Sequence, residues 1–234
     1  MSAPKVLSSE QIQSFRDNGY LSPVRVMSAE EAAGYRAHLE AFENDQGMAL
    51  RGDQRCKNYL LFTWAQQLIR HPVILDAVED IYGPDLLIYT STSWIKEAKS
   101  GSFVSWHQDS TYFGLEPMDN VTVWLALTHA TNETGCMRVL PGSHRLGQLP
   151  TRMEPIENNL LSSGQNVEHR FNEAETVEMP LRPGEISMHH TCAIHGSPGN
   201  NSNHRRIGIG MHFMPAYVRP LKCLIDANAI CSVT

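Results

Sequence analysis

Several features that would point to a membrane or secreted protein are missing from this chain of 234 residues. No run approaches the roughly 18 apolar residues that a membrane-spanning helix needs. The opening Met1-Ser-Ala-Pro-Lys5 lacks the apolar segment behind positive residues that marks a signal peptide. Internal repeats and low-complexity tracts are also missing. We therefore expect a cytoplasmic protein without a membrane partner.

Positive charge is scarce and dispersed. The chain has 19 Lys and Arg against 25 Asp and Glu, for a net charge of −6, and Arg205-Arg206 is its longest basic cluster. Nucleic acid is thus not an expected partner. Cysteine is odd in number and has no C-x-x-C pair, which fits neither a disulfide framework nor a structural zinc site, so we expect reduced thiols. The five cysteines are Cys56, Cys136, Cys192, Cys223 and Cys231.

The first third of the chain has the features of helices that support a core. Hydrophobic residues at 41% and charged residues at 19% are typical of globular proteins, and the length fits one domain. Ser8-x-x-Gln11 predicts a short helix closed by Gly19, and Ser28-x-x-Glu31 predicts a longer one through about Phe42. Apolar spacing over 68–81, interrupted by Pro72, predicts one or two further helices. Residues 1–84 are therefore predicted to be mostly helical support.

From Asp85 the pattern changes to short runs rich in β-branched and aromatic residues, separated by turn signals. Many short strands after a helical start predict a mainly β protein with some α, in which a double-stranded β-helix, or jelly roll, is backed by N-terminal helices. We assign this core to 85–216, within a single domain of 1–234. The predicted strands are 86–95, 103–107, 121–127, 136–140, 176–179, 185–189 and 206–214.

The segment 145–170 interrupts this core. It is long, polar and poor in strand pattern, so we predict a loop insertion. Connections of this length are often functional, and a lid and a plain excursion both remain open.

A His-x-Asp pair followed by a distant histidine is the strongest chemical signal. On an extended chain His107 and Asp109 point to the same face, and His195 from a distant strand can complete a set of three ligands. Two imidazoles and one carboxylate on one face suit Fe(II) and leave positions for a bidentate 2-oxo acid and O2. His189 and His190 are adjacent and cannot readily chelate together.

An arginine eleven positions after His195 adds to this signal. A guanidinium binds a carboxylate through two parallel hydrogen bonds, which suits the distal carboxylate of 2-oxoglutarate. Arg206 shares its strand face with Gly208 and Gly210, which would leave room for a ligand, so we prefer it to Arg205. Both arginines could instead be surface ion-pair partners.

The remaining histidines have less specific signals. His144 lies in a turn and is expected to form hydrogen bonds. His129, His169, His204 and His212 have no partner at ligand spacing, so core or surface roles are expected for each.

These motifs, taken in order, resemble the phytanoyl-CoA dioxygenase (PhyH) family of Fe(II)- and 2-oxoglutarate-dependent oxygenases. The resemblance runs through most of the chain. Its segments are Phe15-Arg-Asp-Asn-Gly-Tyr-Leu21, His107-Gln-Asp109, Val123-Trp-Leu-Ala126, Asn132 to Gly135, Val139-Leu-Pro-Gly-Ser-His144, Pro183-Gly-Glu185 and His195-Gly-Ser197.

The resemblance implies specific roles. His107, Asp109 and His195 would bind iron, and Arg206 would bind 2-oxoglutarate. Gln108, Trp124 and Ser197 match positions that line the cosubstrate pocket. The implied reaction is hydroxylation of a small molecule with release of succinate and CO2, and the carboxylate of Asp109 disfavours halogenation.

Two other functions stay open. A non-catalytic metal- or ligand-binding jelly-roll protein would have the same fold. A zinc hydrolase could use the same three ligands but would need a general base and would not need Arg206.

The substrate is not evident from the sequence. The absence of a basic cluster favours a metabolite such as an amino acid or a small phosphonate over a CoA ester. Candidate pocket residues are Tyr89, Ser91, Ser93, Tyr112 and Phe113, with plain packing as the alternative for the aromatic ones. The oligomeric state is left open.

Overall fold

The computed structural model describes residues 4–221. Helices lie mostly in the first third, as α1 (Ser9–Asn18), α2 (Ala29–Gln46), α3 (Thr63–Leu68), α4 (Pro72–Tyr82) and α5 (Ser110–Phe113). The strands are β1 (Tyr20–Arg25), β2 (Leu86–Lys96), β3 (Val104–His107), β4 (Leu115–Glu116), β5 (Val121–Ala126), β6 (Met137–Val139), β7 (Thr151–Met153), β8 (Gln165–Val167), β9 (Val177–Met179), β10 (Glu185–His190), β11 (His195–Ser197), β12 (Arg206–Pro215) and β13 (Arg219–Pro220).

Two antiparallel sheets form the core. The major sheet has the order β1-β10-β5-β12-β2, and the minor sheet has the order β3-β11-β6-β9. Most neighbouring strands in these sheets are distant in sequence, as expected for a jelly roll. The predicted fold class is confirmed, and all seven predicted strands are present with ends within one residue of the expected positions.

The helices cover one face of the major sheet. Alternate residues of its central strands pack against α1 to α4 in one apolar cluster, with Val123, Ile186 and Ile209 each at most 1% exposed. Burial of this face supplies the main driving force for docking the helices. The other face of the same strands points between the two sheets, because successive side chains of a strand alternate.

The caps of the first two helices are as the sequence indicates. Ser8 and Gln11 form the reciprocal capping box of α1, and Gly19 closes that helix in a left-handed conformation. The side chain of Ser28 accepts a hydrogen bond from Glu31 N, but α2 continues past Phe42 to Gln46.

Two segments differ from the expectation. Tyr20–Arg25 lies in the predicted helical region but forms the edge strand β1, whose pairing with β10 is irregular between Leu21 and Val24. The intervening Pro23 has no N–H to donate to the ladder. The segment 145–170 is not a bare loop, because β7 and β8 pair within it.

Three of the five cysteines lie within the described residues. Cys56, Cys136 and Cys192 carry free thiols, whereas Cys223 and Cys231 lie outside the described residues. Within residues 4–221 no helix has the length and apolarity to cross a membrane.

Candidate metal and cosubstrate site

His107 and His195 lie side by side on neighbouring strands. They are Cα partners in the pairing of β3 with β11, and their ring centroids are 4.1 Å apart. His107 Nδ1 lies 2.9 Å from Ser105 O, and His195 Nδ1 lies 3.0 Å from Ala193 O. Because a carbonyl only accepts, each Nδ1 carries the proton and each Nε2 keeps its lone pair for a metal.

Asp109 completes the group, but not from an extended strand. The strand ends at His107, and Asp109 has helical dihedrals (φ −61°, ψ −32°) at the start of α5. The expected extended geometry was therefore wrong, and a turn brings the carboxylate round instead. Asp109 Oδ1 lies 3.5 Å from His107 Nε2 and 3.8 Å from His195 Nε2. The three ligand atoms lie within 4.8 Å of one another, which fits one metal ion.

The second oxygen of Asp109 is engaged by neighbours. Thr122 Oγ1 donates to Oδ2 at 2.5 Å, and His189 Nε2 lies 3.2 Å from the same atom. Thr122 Oγ1 is also 2.8 Å from His212 Nδ1. Since the hydroxyl proton is given to Asp109, His212 donates to Thr122. These contacts fix the carboxylate with Oδ1 turned toward the two ligand histidines.

The electrostatics of the group favour ligand protonation states. Burial opposes ionisation of Asp109, but the surrounding imidazoles of His195, His107 and His189 hold the pKa of this carboxyl well below its ordinary value. Burial and the neighbouring His107 lower the pKa of His195 well below the usual range. An ionised carboxylate and neutral imidazoles are the forms that bind a metal.

Arg206 lines the same cavity as these three residues. It is 3% exposed, and its guanidinium carbon lies 5.2 Å from the ring centroid of Trp124. One nitrogen donates to Gly135 O, whereas Nε has no hydrogen-bond partner within residues 4–221. Burial lowers the pKa of Arg206 to about 10, so the group stays cationic at neutral pH. A buried cation with an unused donor suits the carboxylate of a ligand.

The two glycines beside Arg206 make room for indole rings. A Cβ built on Gly208 would lie 2.5 Å from Trp124 Cε2, and one on Gly210 would lie 3.0 Å from Trp94 Nε1. Both tryptophans line the cavity. The expectation that the glycines leave direct space for a ligand was therefore wrong, since the space is filled by side chains that form the cavity wall.

The other predicted cosubstrate residues divide into two groups. Trp124 and Ser197 line the cavity, but Gln108 does not. The Gln108 amide is fully buried and donates to Cys192 O at 2.7 Å and Gly147 O at 2.9 Å. Gln108 thus ties the turn between His107 and Asp109 to the start of the 145–170 segment.

Comparison with known proteins identifies the family of this chain. Residues 15–208 match the model of the phytanoyl-CoA dioxygenase (PhyH) family. The chain belongs to this family. The resemblance noted in the sequence is thereby confirmed, and the coarse activity is that of an Fe(II)- and 2-oxoglutarate-dependent oxygenase.

Individual relatives agree with this assignment. A probable alpha-ketoglutarate-dependent hypophosphite dioxygenase of Stutzerimonas stutzeri is 27% identical over 91% of this chain and 80% of its own. The non-heme monooxygenase ThoJ, in its apo form, is 32% identical with a TM-score of 0.80, covering 90% of this chain and 79% of its own. The non-heme alpha ketoglutarate dependent carbocyclase SnoK from nogalamycin biosynthesis is 26% identical with a TM-score of 0.72, covering 94% and 90%.

None of the residues predicted to contact substrate lines the cavity. Ser91 is fully buried and donates to Asn58, whose amide in turn donates to Ser93 at 2.9 Å, so both serines serve packing on the helical side of β2. Tyr89 donates to Phe113 O at 3.3 Å, and its ring lies 5.1 Å from that of Phe113.

The two remaining aromatic candidates lie near the site without lining the cavity. Phe113 meets His212 edge to face at 4.7 Å, which places it behind the cavity wall. Tyr112 is 38% exposed and lies near Ser162 and Ser163 of the 145–170 segment.

Among the cavity residues that were not selected from the sequence, two are histidines. His189 and His212 are 1% and 5% exposed, and both line the cavity beside Asp109. The core role allowed for His212 fits its burial, but its place in the cavity wall was not foreseen. The signal was present, because strand alternation from Arg206 places residue 212 on the same face. His190 faces the other way from His189, as expected for adjacent strand residues.

Proposed function

We propose that this member of the PhyH family hydroxylates a small-molecule metabolite, with 2-oxoglutarate converted to succinate and CO2. The observation that carries the proposal is the single cavity that contains His107, Asp109 and His195 together with Arg206. A zinc hydrolase has no use for a buried arginine at this position, whereas a 2-oxo diacid has one carboxylate for the metal and a second for the arginine.

His107, Asp109 and His195 would hold Fe(II) through their Nε2, Oδ1 and Nε2 atoms. Two imidazoles and one carboxylate are the donor set of non-haem Fe(II) oxygenases, and three ligands leave positions for a chelating 2-oxo acid and O2. Bound iron, with 2-oxoglutarate and O2, supplies the oxidant that attacks an unactivated C–H bond. The protein residues orient the reactants and exclude water.

Arg206 would hold the distal carboxylate of 2-oxoglutarate. Its guanidinium is fixed between the ring of Trp124 and the carbonyl of Gly135, so little side-chain entropy is lost on binding. Ser197 lines the same cavity and offers a hydroxyl. We place Gln108 outside the cosubstrate contacts, as a residue that orients the metal-binding turn.

A small substrate fits the composition of the cavity wall. Beyond the proposed metal ligands, Arg206, Trp124 and Ser197, the wall is made of Trp94, Val104, Thr122, Met137, His189, Gly196 and His212. Neutral polar groups and apolar surface dominate, and Arg206 is the cation among the lining residues. We propose that the substrate is an amino acid, a small phosphonate or a metabolite of similar size.

The reaction can be tested with a panel of such compounds and isotopically labelled O2. The iron-loaded protein is expected to form succinate only with 2-oxoglutarate, and one compound of the panel is expected to gain one labelled oxygen atom. The variant His107→Ala is the matched negative control, because it loses one proposed ligand without touching Arg206.

Other outcomes have clear meanings. Succinate formation with an oxidised product that carries no label would show another 2-oxoglutarate-driven oxidation, and hydroxylation would be wrong. Iron binding without any succinate formation, with or without the panel, would favour the non-catalytic binding protein.

A further inference from the structure

Lys96 is a second buried basic side chain beside the cavity. It ends β2, is fully buried, and is the Cα partner of Arg206 across the pairing with β12. Within residues 4–221 neither Lys96 nor Arg206 forms an ion pair with a carboxylate. A lysine without exposure or an acidic partner is rare, so its retention calls for a specific role.

The amino group of Lys96 is held by three oxygen atoms. Its Nζ lies 2.7 Å from Ser197 Oγ and 3.3 Å from Ser197 O, and it also donates to Pro198 O. The backbone of Lys96 is fixed as well, because the buried amide of Asn200 donates to its carbonyl at 3.2 Å. The contact between Lys96 and Ser197 is therefore a fixed part of the fold.

The contact determines what the Ser197 hydroxyl can do. A hydroxyl has one proton to donate and two lone pairs to accept. When Oγ accepts from the Lys96 ammonium, its own proton is free for another acceptor. Ser197 and Arg206 line the same cavity, and Lys96 joins them because it contacts Ser197 and is the strand partner of Arg206. A carboxylate bound beside Arg206 can therefore also accept from the Ser197 hydroxyl.

The charges around Lys96 also favour a bound carboxylate. Burial and the neighbouring Arg206 lower the pKa of Lys96 to about 6. Two adjacent buried cations repel each other, and an anion placed beside them offsets that repulsion and favours the ammonium form. The site is thus electrostatically prepared for a carboxylate that the described part of the chain does not provide.

We propose that Lys96 is a positioning residue for the distal carboxylate of 2-oxoglutarate, acting through the hydroxyl of Ser197 and through its own charge. This inference rests on the proposed function. It adds a determinant of cosubstrate choice that is itself outside the cavity wall, and it predicts selectivity for a 2-oxo acid with a second carboxylate.

The test compares two chelating 2-oxo acids that differ in this second carboxylate. Dissociation constants for 2-oxoglutarate and 2-oxobutyrate are measured anaerobically with the Fe(II)-loaded protein, from the weak visible charge-transfer band of the chelate. Lys96→Met keeps an unbranched side chain of similar length. This variant is expected to raise the dissociation constant for 2-oxoglutarate by about 10- to 100-fold, the usual effect of losing a charge-assisted hydrogen bond. The dissociation constant for 2-oxobutyrate is expected to stay within about twofold of the wild-type value.

A double-variant cycle tests the route through Ser197. Ser197→Ala is expected to weaken the binding of 2-oxoglutarate but not of 2-oxobutyrate. The double variant Lys96→Met/Ser197→Ala is expected to lose less binding free energy for 2-oxoglutarate than the sum of the two single variants. Lys99→Met is the matched control, because Lys99 is exposed and its amino group contacts only the carbonyl of Asn201 among the hydrogen bonds described.

Each result decides the proposal. Equal weakening of both 2-oxo acids in Lys96→Met, or no change in either, would make Lys96 a structural residue only. If Lys96→Met does not fold, Ser197→Ala decides alone, and an unchanged affinity for 2-oxoglutarate would overturn the inference. A wild-type protein that binds iron but shows no band with 2-oxoglutarate contradicts the proposed function instead, so the two failures can be told apart.

Discussion

The close packing of Gly208 against Trp124 gives a sharp prediction about the cavity wall. In Gly208→Ala the new Cβ would lie 2.5 Å from Trp124 Cε2 and closer still to two other ring atoms, so the indole must move. Trp124 is 5% exposed, and overpacking at such a site costs about 1–3 kcal/mol of the free energy of unfolding. Because Arg206 stacks on this ring, the affinity for 2-oxoglutarate is expected to fall as well.

The effect on stability is measured by urea unfolding of wild type, Gly208→Ala, Gly208→Ala with Trp124→Phe, and Gly34→Ala. Gly208→Ala is expected to lower the free energy of unfolding by about 2 kcal/mol. Adding Trp124→Phe to this variant is expected to restore part of the loss, since the smaller ring leaves room for the new methyl group. Gly34→Ala is the control, because a Cβ there meets nothing within 4 Å. A Gly208→Ala variant as stable as wild type, or one that Trp124→Phe does not relieve, would refute the packing argument.

Three further predictions concern other contacts. Thr122→Val removes the donor to Asp109 Oδ2 and is expected to weaken Fe(II) binding about 10-fold in a metal titration, whereas Thr122→Ser is expected to retain it. Glu43→Ala breaks a buried pair with Arg205 and is expected to lower the free energy of unfolding by about 3 kcal/mol in urea, with Glu40→Ala nearly neutral because that side chain is more exposed. Gln108→Ala releases the carbonyl of residue 147 and is expected to speed limited proteolysis within 145–170, and an unchanged rate would contradict its anchoring role.

Local patterns were sufficient to predict most of the core. The long alternating strand β12 places Ile207, Ile209 and Met211 against the helices, and this periodicity is visible in the sequence. β1 was missed because Pro23 and Ser22 dilute its apolar pattern. β7 and β8 were missed because a short, largely polar hairpin carries no periodic signal.

The site was predictable in its ligands and less so in its surroundings. The spacing of His107 and Asp109 suggested a shared metal, although the turn that joins them was not foreseen. The partners of Asp109 come from strands that are distant in sequence, so their approach depends on the order of strands in the major sheet. Lys96 carries no recognisable motif, and only its pairing with Arg206 reveals its position.

The most direct test of the account is an anaerobic titration of metal-free protein with Fe(II) and 2-oxoglutarate, comparing wild type with His107→Ala, Arg206→Ala and the control His190→Ala. The account predicts a visible charge-transfer band in wild type and in the control, no band in His107→Ala, and a band that needs far more 2-oxoglutarate in Arg206→Ala. Iron-loaded wild type without a band, or an Arg206→Ala variant that binds 2-oxoglutarate as wild type does, would contradict it.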